Sequence, residues 1–132
     1  MRVTVHVDGG SRGNPGPAAA GAVVTGADGE EIDRSGELIG EATNNVAEYR
    51  GLLLGIARAR ELGATEVEIF NDSELIAHQV NGRYKVKHAD MKPLHAEALA
   101  ALAAFDSWSL TPVRREQNAE ADAIVNDTLD GA

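Results

Sequence analysis

The stretch from Val3 to Gly16, VTVHVDGGSRGNPG, constrains the fold more than any other part of the chain. Val3, Val5 and Val7 alternate with Thr4 and His6, and a period-two run of β-branched residues predicts a strand with one face in a core. That strand ends in a carboxylate, Asp8, followed at once by Gly9 and Gly10. The run Ser11, Gly13, Asn14, Pro15 and Gly16 then interrupts regular structure. An aspartate at the end of a buried strand, with glycines beside it, is a rigidly held anion that a ligand's backbone can approach closely. An isolated Asp-Gly pair reads better as a turn bonding its own loop; the acids further along the chain weigh against that reading here.

The remaining elements follow in order. Ala19–Thr25 reads as a second strand, and Gly26–Gly29 as the hairpin turn leading into a third strand, Glu31–Ile39. That strand is poor in apolar residues and so belongs at an edge. Thr43–Leu62 predicts a long helix, capped by Thr43 or Asn44 and stopped by Gly63. Its apolar stripe is Leu52, Ile56 and Ala59, and Glu48 lies one turn before Leu52 on that stripe. A first-turn glutamate favoured by the helix dipole belongs on the wet face instead. Glu66–Asn71 is a short strand followed by Asp72, and Ser73–Val80 a helix. Asp90–Phe105 is a helix with Asp90 as cap and Pro93 in its first turn, burying Leu94, Ala98, Ala101 and Phe105. Trp108–Val113 is the last strand, and Asn118 caps a final helix containing Asp122. Strand, helix, strand implies a crossover and a parallel pairing. Asp8 and Asp72 are thereby expected side by side at the carboxyl ends of neighbouring strands, where open α/β sheets bind ligands.

With 132 residues, 43% of them hydrophobic and 25% charged, the chain reads as one globular domain, residues 1–132. It has no cysteine, which suits a cytoplasmic protein, and no signal peptide or membrane-length apolar run. A net charge of −9 argues against a nucleic-acid partner when taken alone. Two explanations keep such a partner open. Some carboxylates hold divalent cations, and the rest serve solubility, in a salty cytoplasm for instance. The one concentrated basic stretch, Asn81–Ala89, carries Arg83, Lys85, Lys87 and His88 around Tyr84. A charge run of this kind is commonly a solvated loop; on so acidic a chain it is a positive island with an aromatic in it.

Four acids therefore occupy special places: Asp8, Glu48, Asp72 and Asp122. Converging carboxylates without matching bases repel one another and raise each other's pKa. Hard divalent cations make such a site tolerable, and oxygen donors suit Mg²⁺ or Mn²⁺. Two such ions can clamp an in-line phosphoryl displacement.

DGGSRGNPG (Asp8–Gly16), TNNVAEY (Thr43–Tyr49), NDS (Asn71–Ser73) and NAEADAIVN (Asn118–Asn126), in this order and spacing, resemble the type 1 ribonucleases H over nearly the whole chain. The resemblance implies an α/β fold, a five-stranded mixed sheet of order 3-2-1-4-5 flanked by helices. It implies an endonuclease that hydrolyses the RNA strand of RNA–DNA hybrids with two Mg²⁺, for which Mn²⁺ substitutes, leaving 5′-phosphate and 3′-hydroxyl ends. Asp8, Glu48, Asp72 and Asp122 match the family's catalytic, metal-binding carboxylates, and Glu48 is expected also to meet the 2′-hydroxyl of the reacting nucleotide. Asn14 matches a loop residue near the RNA strand. Asn44 and Asn45 match the pair that reaches the minor groove and its 2′-hydroxyls, which amide side chains can recognise. Thr43 matches a residue that seats a DNA-strand phosphate.

The departures are specific. Many relatives carry a loop histidine before the last acid. Here the stretch is Val113–Gln117 and the supporting role falls to Arg115, whose bland alternative is an ion pair with Glu116. Glu41 stands near an arginine position of the DNA-phosphate pocket. Arg83, Tyr84, Lys85 and Lys87 resemble a reduced form of a longer basic protrusion and are expected to grip the DNA strand. His6, His78, His88 and His95 match no functional position and are expected to be structural or exposed. The expected partner is the hybrid, with no membrane and no obligate protein partner, the chain acting as a monomer. Alternatives are a two-metal DNA nuclease or recombinase, a non-catalytic hybrid-binding module, and a Mg²⁺- or Ca²⁺-stabilised structural domain.

Overall fold

The computed structural model describes residues 1–132. Five strands form one sheet in the order β3-β2-β1-β4-β5. They are β1 (Arg2–Ser11), β2 (Gly16–Thr25), β3 (Glu31–Ala42), β4 (Glu66–Asn71) and β5 (Ser107–Pro112). β1, β2 and β3 form the antiparallel meander, while β4 pairs with β1 and β5 in parallel. The helices are α1 (Asn44–Glu61), α2 (Glu74–Val80), α3 (Lys92–Leu102) and α4 (Ala119–Asp130), with a 3₁₀ turn at Arg115–Asn118 before α4.

The large core lies on the α1 and α3 side of the sheet. Val3, Val5 and Val7 of β1, Val67 and Ile69 of β4, and Leu52, Ile56 and Ala59 of α1 pack there, all nearly inaccessible to solvent. α1 meets β1 at unusually short range because both surfaces carry glycine. A Cβ on Gly55 would strike the Val7 side chain, one on Gly51 the Asp8 carbonyl, and one on Gly9 the Ala47 carbonyl. The opposite face is covered by α4, through Ala19, Val125 and Leu129, and by the 3₁₀ turn before it. Thr43 caps α1 by accepting the Val46 N–H at 3.3 Å, and Gly63, at φ +85°, ends it.

Several boundaries differ from the sequence reading. β1 does not end at Asp8 but runs on to Ser11, because β2 starts at Gly16 and supplies partners for Gly9, Gly10 and Ser11. Only the parallel ladder stops early, at His6 opposite Phe70. β3 extends to Ala42 through a register shift opposite Ala18 and Ala19 and a left-handed Gly40 at φ +94°. α3 starts at Lys92, not Asp90. Its preceding residue Met91 is buried and caps nothing with its side chain, and the N–H groups of Met91 and Lys92 both bond the His88 carbonyl. The turn is set by burying Met91, so the exposed Asp90 has no capping role. α3 also stops at Leu102, leaving Phe105 buried in the turn beyond it.

Candidate active site

The parallel register places the two strand-end acids. His6 pairs with Phe70, so Asp8 and Asp72 each lie two residues beyond the last pair, on adjacent strands and on the same end of the sheet. Past that point β4 no longer takes up the backbone of β1, and the Gly9 N–H donates instead to Glu48 Oε1 at 2.9 Å. Glu48 reaches it because α1 rides on the glycines of β1 and of its own face. Asp8, Glu48 and Asp72 each bring a carboxylate oxygen to within 4.8 Å of the others. Asp122 is not in that mutual group but lies beside Asp8, whose pKa it helps to raise. It lines the same cavity of about 350 Å³ from the first turn of α4, and its Oδ2 and backbone carbonyl receive the Asn126 amide at 3.4 and 3.2 Å.

The electrostatics follow from burial and from like charge. Asp8 is pushed well above the usual carboxylate range, first by burial and then by the charges of Glu48 and Asp72. Glu48 is also raised, chiefly by burial, with hydrogen bonds from Asp8, the Gly9 N–H and Ser73 pulling the other way. None of the molecule's ion pairs reaches any of the four acids. An all-oxygen donor set, closely spaced and without a basic counter-charge, fits hard divalent cations. Arg115 is exposed at the rim of this cavity and forms no ion pair with Glu116.

The polar positions around the α1 start are tied to the β1–β2 loop. Asn14 Oδ1 accepts the Asn44 N–H at 3.0 Å, and Asn44 Oδ1 accepts the Ser11 N–H at 3.3 Å. These bonds use the oxygens. The amide donors of Asn14 and Asn44 and the hydroxyl proton of Thr43 stay available. Asn45 is half-buried in the first turn of α1. Arg83, Tyr84, Lys85 and Lys87 are all exposed. They lie away from the acids, on the loop between α2 and α3, where Tyr84 packs on the His78 ring at 4.8 Å and Lys85 borders a groove with Lys92 and His95. The structure thus brings the carboxylates, Arg115 and Asn44 to one cavity and leaves the basic loop as a separate surface.

Comparison with known proteins agrees with this architecture. A family model described as reverse transcriptase-like matches residues 6–128. The RNase H1 of the halophilic archaeon Halobacterium salinarum, 41% identical, superposes with a TM-score of 0.98 over 100% of both chains. The chain belongs to the type 1 ribonuclease H family. The N-terminal RNase H domain of Rv2228c from Mycobacterium tuberculosis is 47% identical, with a TM-score of 0.95 over 99% of this chain and 95% of that one. LC11-RNase H1, solved in complex with an RNA/DNA hybrid, is 38% identical with a TM-score of 0.93, covering 98% of this chain and 97% of that one. The chain spans 36% of the length of the full bifunctional protein Rv2228c, to which it is 48% identical over 133 residues.

Within this ribonuclease H fold, sequence reasoning missed several residues. Asn118 precedes α4 but makes no side-chain cap; its Nδ2 donates to the Val7 carbonyl at 2.8 Å. That bond fixes the strand just before Asp8 to the helix that carries Asp122 one turn later. Arg12, Ser73 and Asn126 also line the acid cavity. Each lies inside one of the motifs above, and the sequence reading gives none of them a role of its own. Only a spacing signal was available: Asn118, Asp122 and Asn126 recur every four residues. The histidines behave as expected. His6 stacks on Phe70 and His95 bonds the Gln79 carbonyl at 3.1 Å.

Proposed function

We propose that this chain is an endonuclease that hydrolyses the RNA strand of RNA–DNA hybrids, with Asp8, Glu48, Asp72 and Asp122 holding two divalent cations, Mg²⁺ or in its place Mn²⁺. The observation that carries the proposal is the meeting of three carboxylates from β1, α1 and the end of β4 within 4.8 Å, in a fold shared with a ribonuclease H solved on a hybrid. Bound there, the cations supply water activation and charge stabilisation of the leaving oxygen for an in-line displacement at phosphorus. The chain's own residues do the rest. Glu48, held by the Gly9 N–H, keeps an oxygen toward the cleft and meets the 2′-hydroxyl of the reacting nucleotide. The free amide donors of Asn44 and Asn45 read 2′-hydroxyls across the minor groove, which distinguishes RNA from DNA. Asn14 braces the start of α1 and faces the RNA strand, and the Thr43 hydroxyl donates to a DNA-strand phosphate. Arg115, at the cavity rim, steadies the phosphate being released. The exposed Arg83, Tyr84, Lys85 and Lys87 hold the DNA strand at a distance from the chemistry. Products carry 5′-phosphate and 3′-hydroxyl ends.

The test is a cleavage assay on labelled hybrid, duplex DNA and duplex RNA, each with Mg²⁺, Mn²⁺ or a chelator. Cutting confined to the RNA strand of the hybrid, and lost with chelator, is the expected result. Cutting of duplex DNA at a similar rate overturns the proposal, as does metal-dependent melting without turnover. No helix is long and apolar enough to cross a membrane, and the substrate is expected to be met without one.

A further inference from the structure

Two cationic side chains line the acid cavity, Arg12 and Arg115, and each also borders a second groove that the other does not. Arg115 also borders a groove with Asp72, Glu74 and Val113, toward β5. Arg12 borders a different groove with Pro17, Leu38, Glu41 and Leu129, toward β3 and the end of α4. A polyanion laid across the carboxylates and on into both grooves meets both arginines. Arg115 is free of ion pairs, but Arg12 is not. Its Nη2 lies 2.7 Å from Asp130 Oδ1 and 3.4 Å from the Asn126 carbonyl, at the C-terminal turn of α4.

The backbone of Arg12 is fixed from within the fold, while its side chain is held only by exposed partners. The Arg12 N–H bonds the Pro17 carbonyl at 2.8 Å, and Gly16 packs so closely that a Cβ there would strike the Arg12 carbonyl. The side chain itself is 47% exposed and that of Asp130 is 65% exposed. An ion pair this open contributes little net stability, so a phosphate can replace the carboxylate at small cost. A guanidinium also matches two phosphate oxygens at once, which a chance surface contact does not exploit.

Resting on the hybrid-nuclease reading above, we infer that Arg12 grips a backbone phosphate of the strand lying across the carboxylates, and that Asp130 competes for the same guanidinium. Asp130 thereby sets how strongly substrate is held. On a chain of net charge −9, such a contact is one of few that offset repulsion between the cleft and its substrate.

The experiment is steady-state cleavage of labelled hybrid by the full chain at fixed Mg²⁺, in about 50 and about 200 mM monovalent salt. One phosphate contact contributes a log–log salt slope of about 0.9, or about 3.5-fold over that range. Arg12→Ala is expected to raise KM about fivefold at the lower salt, an effect that fades at the higher salt by about that factor. Arg12→Lys recovers part of the loss, because the charge returns without the fork. Asp130→Asn lowers KM about two- to threefold in the native background and does nothing in the Arg12→Ala background, as coupled partners require. An Arg12→Ala enzyme with native KM and native salt slope overturns the inference. So does an Asp130→Asn effect of equal size with and without Arg12, which signals general charge rather than competition. A native chain that leaves hybrid uncut overturns the nuclease reading and this inference with it; a native chain that cuts while Arg12→Ala behaves identically overturns only the inference.

Discussion

On the proposed function, the acid cavity and the basic loop present two ways of meeting one polyanion. The cavity is built on the most constrained part of the molecule. Its acids come from β1, α1 and the residue after β4, with α1 seated on glycines that leave no room for a side chain. The Asn81–Ala89 loop has no regular structure. It is tied down at its start by backbone bonds to the Ala77, His78 and Gln79 carbonyls and by Asn81 Nδ2 donating to the Leu110 carbonyl. Further on it is held by the Tyr84–His78 ring contact and by Val86 on the core, while its charged side chains stay exposed. The difference matches what the proposed function asks of each. Positioning groups around a reacting phosphorus tolerates errors well under an ångström, whereas charge contacts to a phosphate backbone fall off gently and tolerate movement. Precision is therefore concentrated at the sheet end and adaptability in the loop.

Removing a carboxylate should show the largest effect. Asp72→Asn or Asp8→Asn is expected to lower cleavage by on the order of 10³-fold or more, as loss of a cation ligand implies, while hybrid binding measured by anisotropy persists. Full activity in either purified variant would break the metal assignment. Next comes the support beneath the acids. Gly51→Ala pushes a methyl group onto the Asp8 carbonyl, with an expected cost of about 1–3 kcal/mol in stability. Cleavage should fall about 10²-fold as Asp8 and Glu48 move apart, read by denaturant melts and single-turnover rates.

A third outcome concerns pH. Asp8 and Glu48 both have folded pKa values above the ordinary carboxylate range. From about pH 4 upward the fold therefore holds more protons than the unfolded chain, and stability from these groups declines as pH rises through neutrality. Chelated protein should melt lower at pH 8 than at pH 5. Added Mg²⁺ should raise the pH 8 melting temperature by about 5 °C or more and the pH 5 value by less. An Mg²⁺ shift of the same size at both values would separate ion binding from the acid cluster. The smallest effect belongs to the loop. Lys85→Ala combined with Lys87→Ala should raise KM a few-fold and reduce the salt slope by about 1.8, two phosphate contacts' worth. A loss as deep as that of Gly51→Ala would erase the contrast between the two regions.

Much of this was legible beforehand because periodicity reports local geometry. Alternating valines gave β1, and a glutamate in line with Leu52 and Ile56 marked Glu48 as inward-facing before any coordinates. Strand order and the meeting of Asp8 with Asp72 followed from a crossover rule and a family resemblance. Other features were not legible. Asp90 has every local mark of a cap and is none, because its neighbour Met91 is drawn into the main core and α3 starts only after it. Asn118 had the same marks and spends its amide on the Val7 carbonyl, 111 residues away. The partnership of Arg12 with Asp130 likewise spans almost the whole chain.

By itself, then, the chain determined which segments are strands and helices and which acids sit at strand ends or on the inward side of a helix, since both depend on neighbours within a few residues. Tertiary structure alone decided how tightly those acids converge, that Asp122 neighbours Asp8 without joining the mutual group of three, and which arginine is engaged. The physical reason is that separations between side chains on different elements are set by packing distances. Here those are the glycine-to-carbonyl approaches of α1 on β1 and the seating of α4 on the opposite face, which no local pattern encodes.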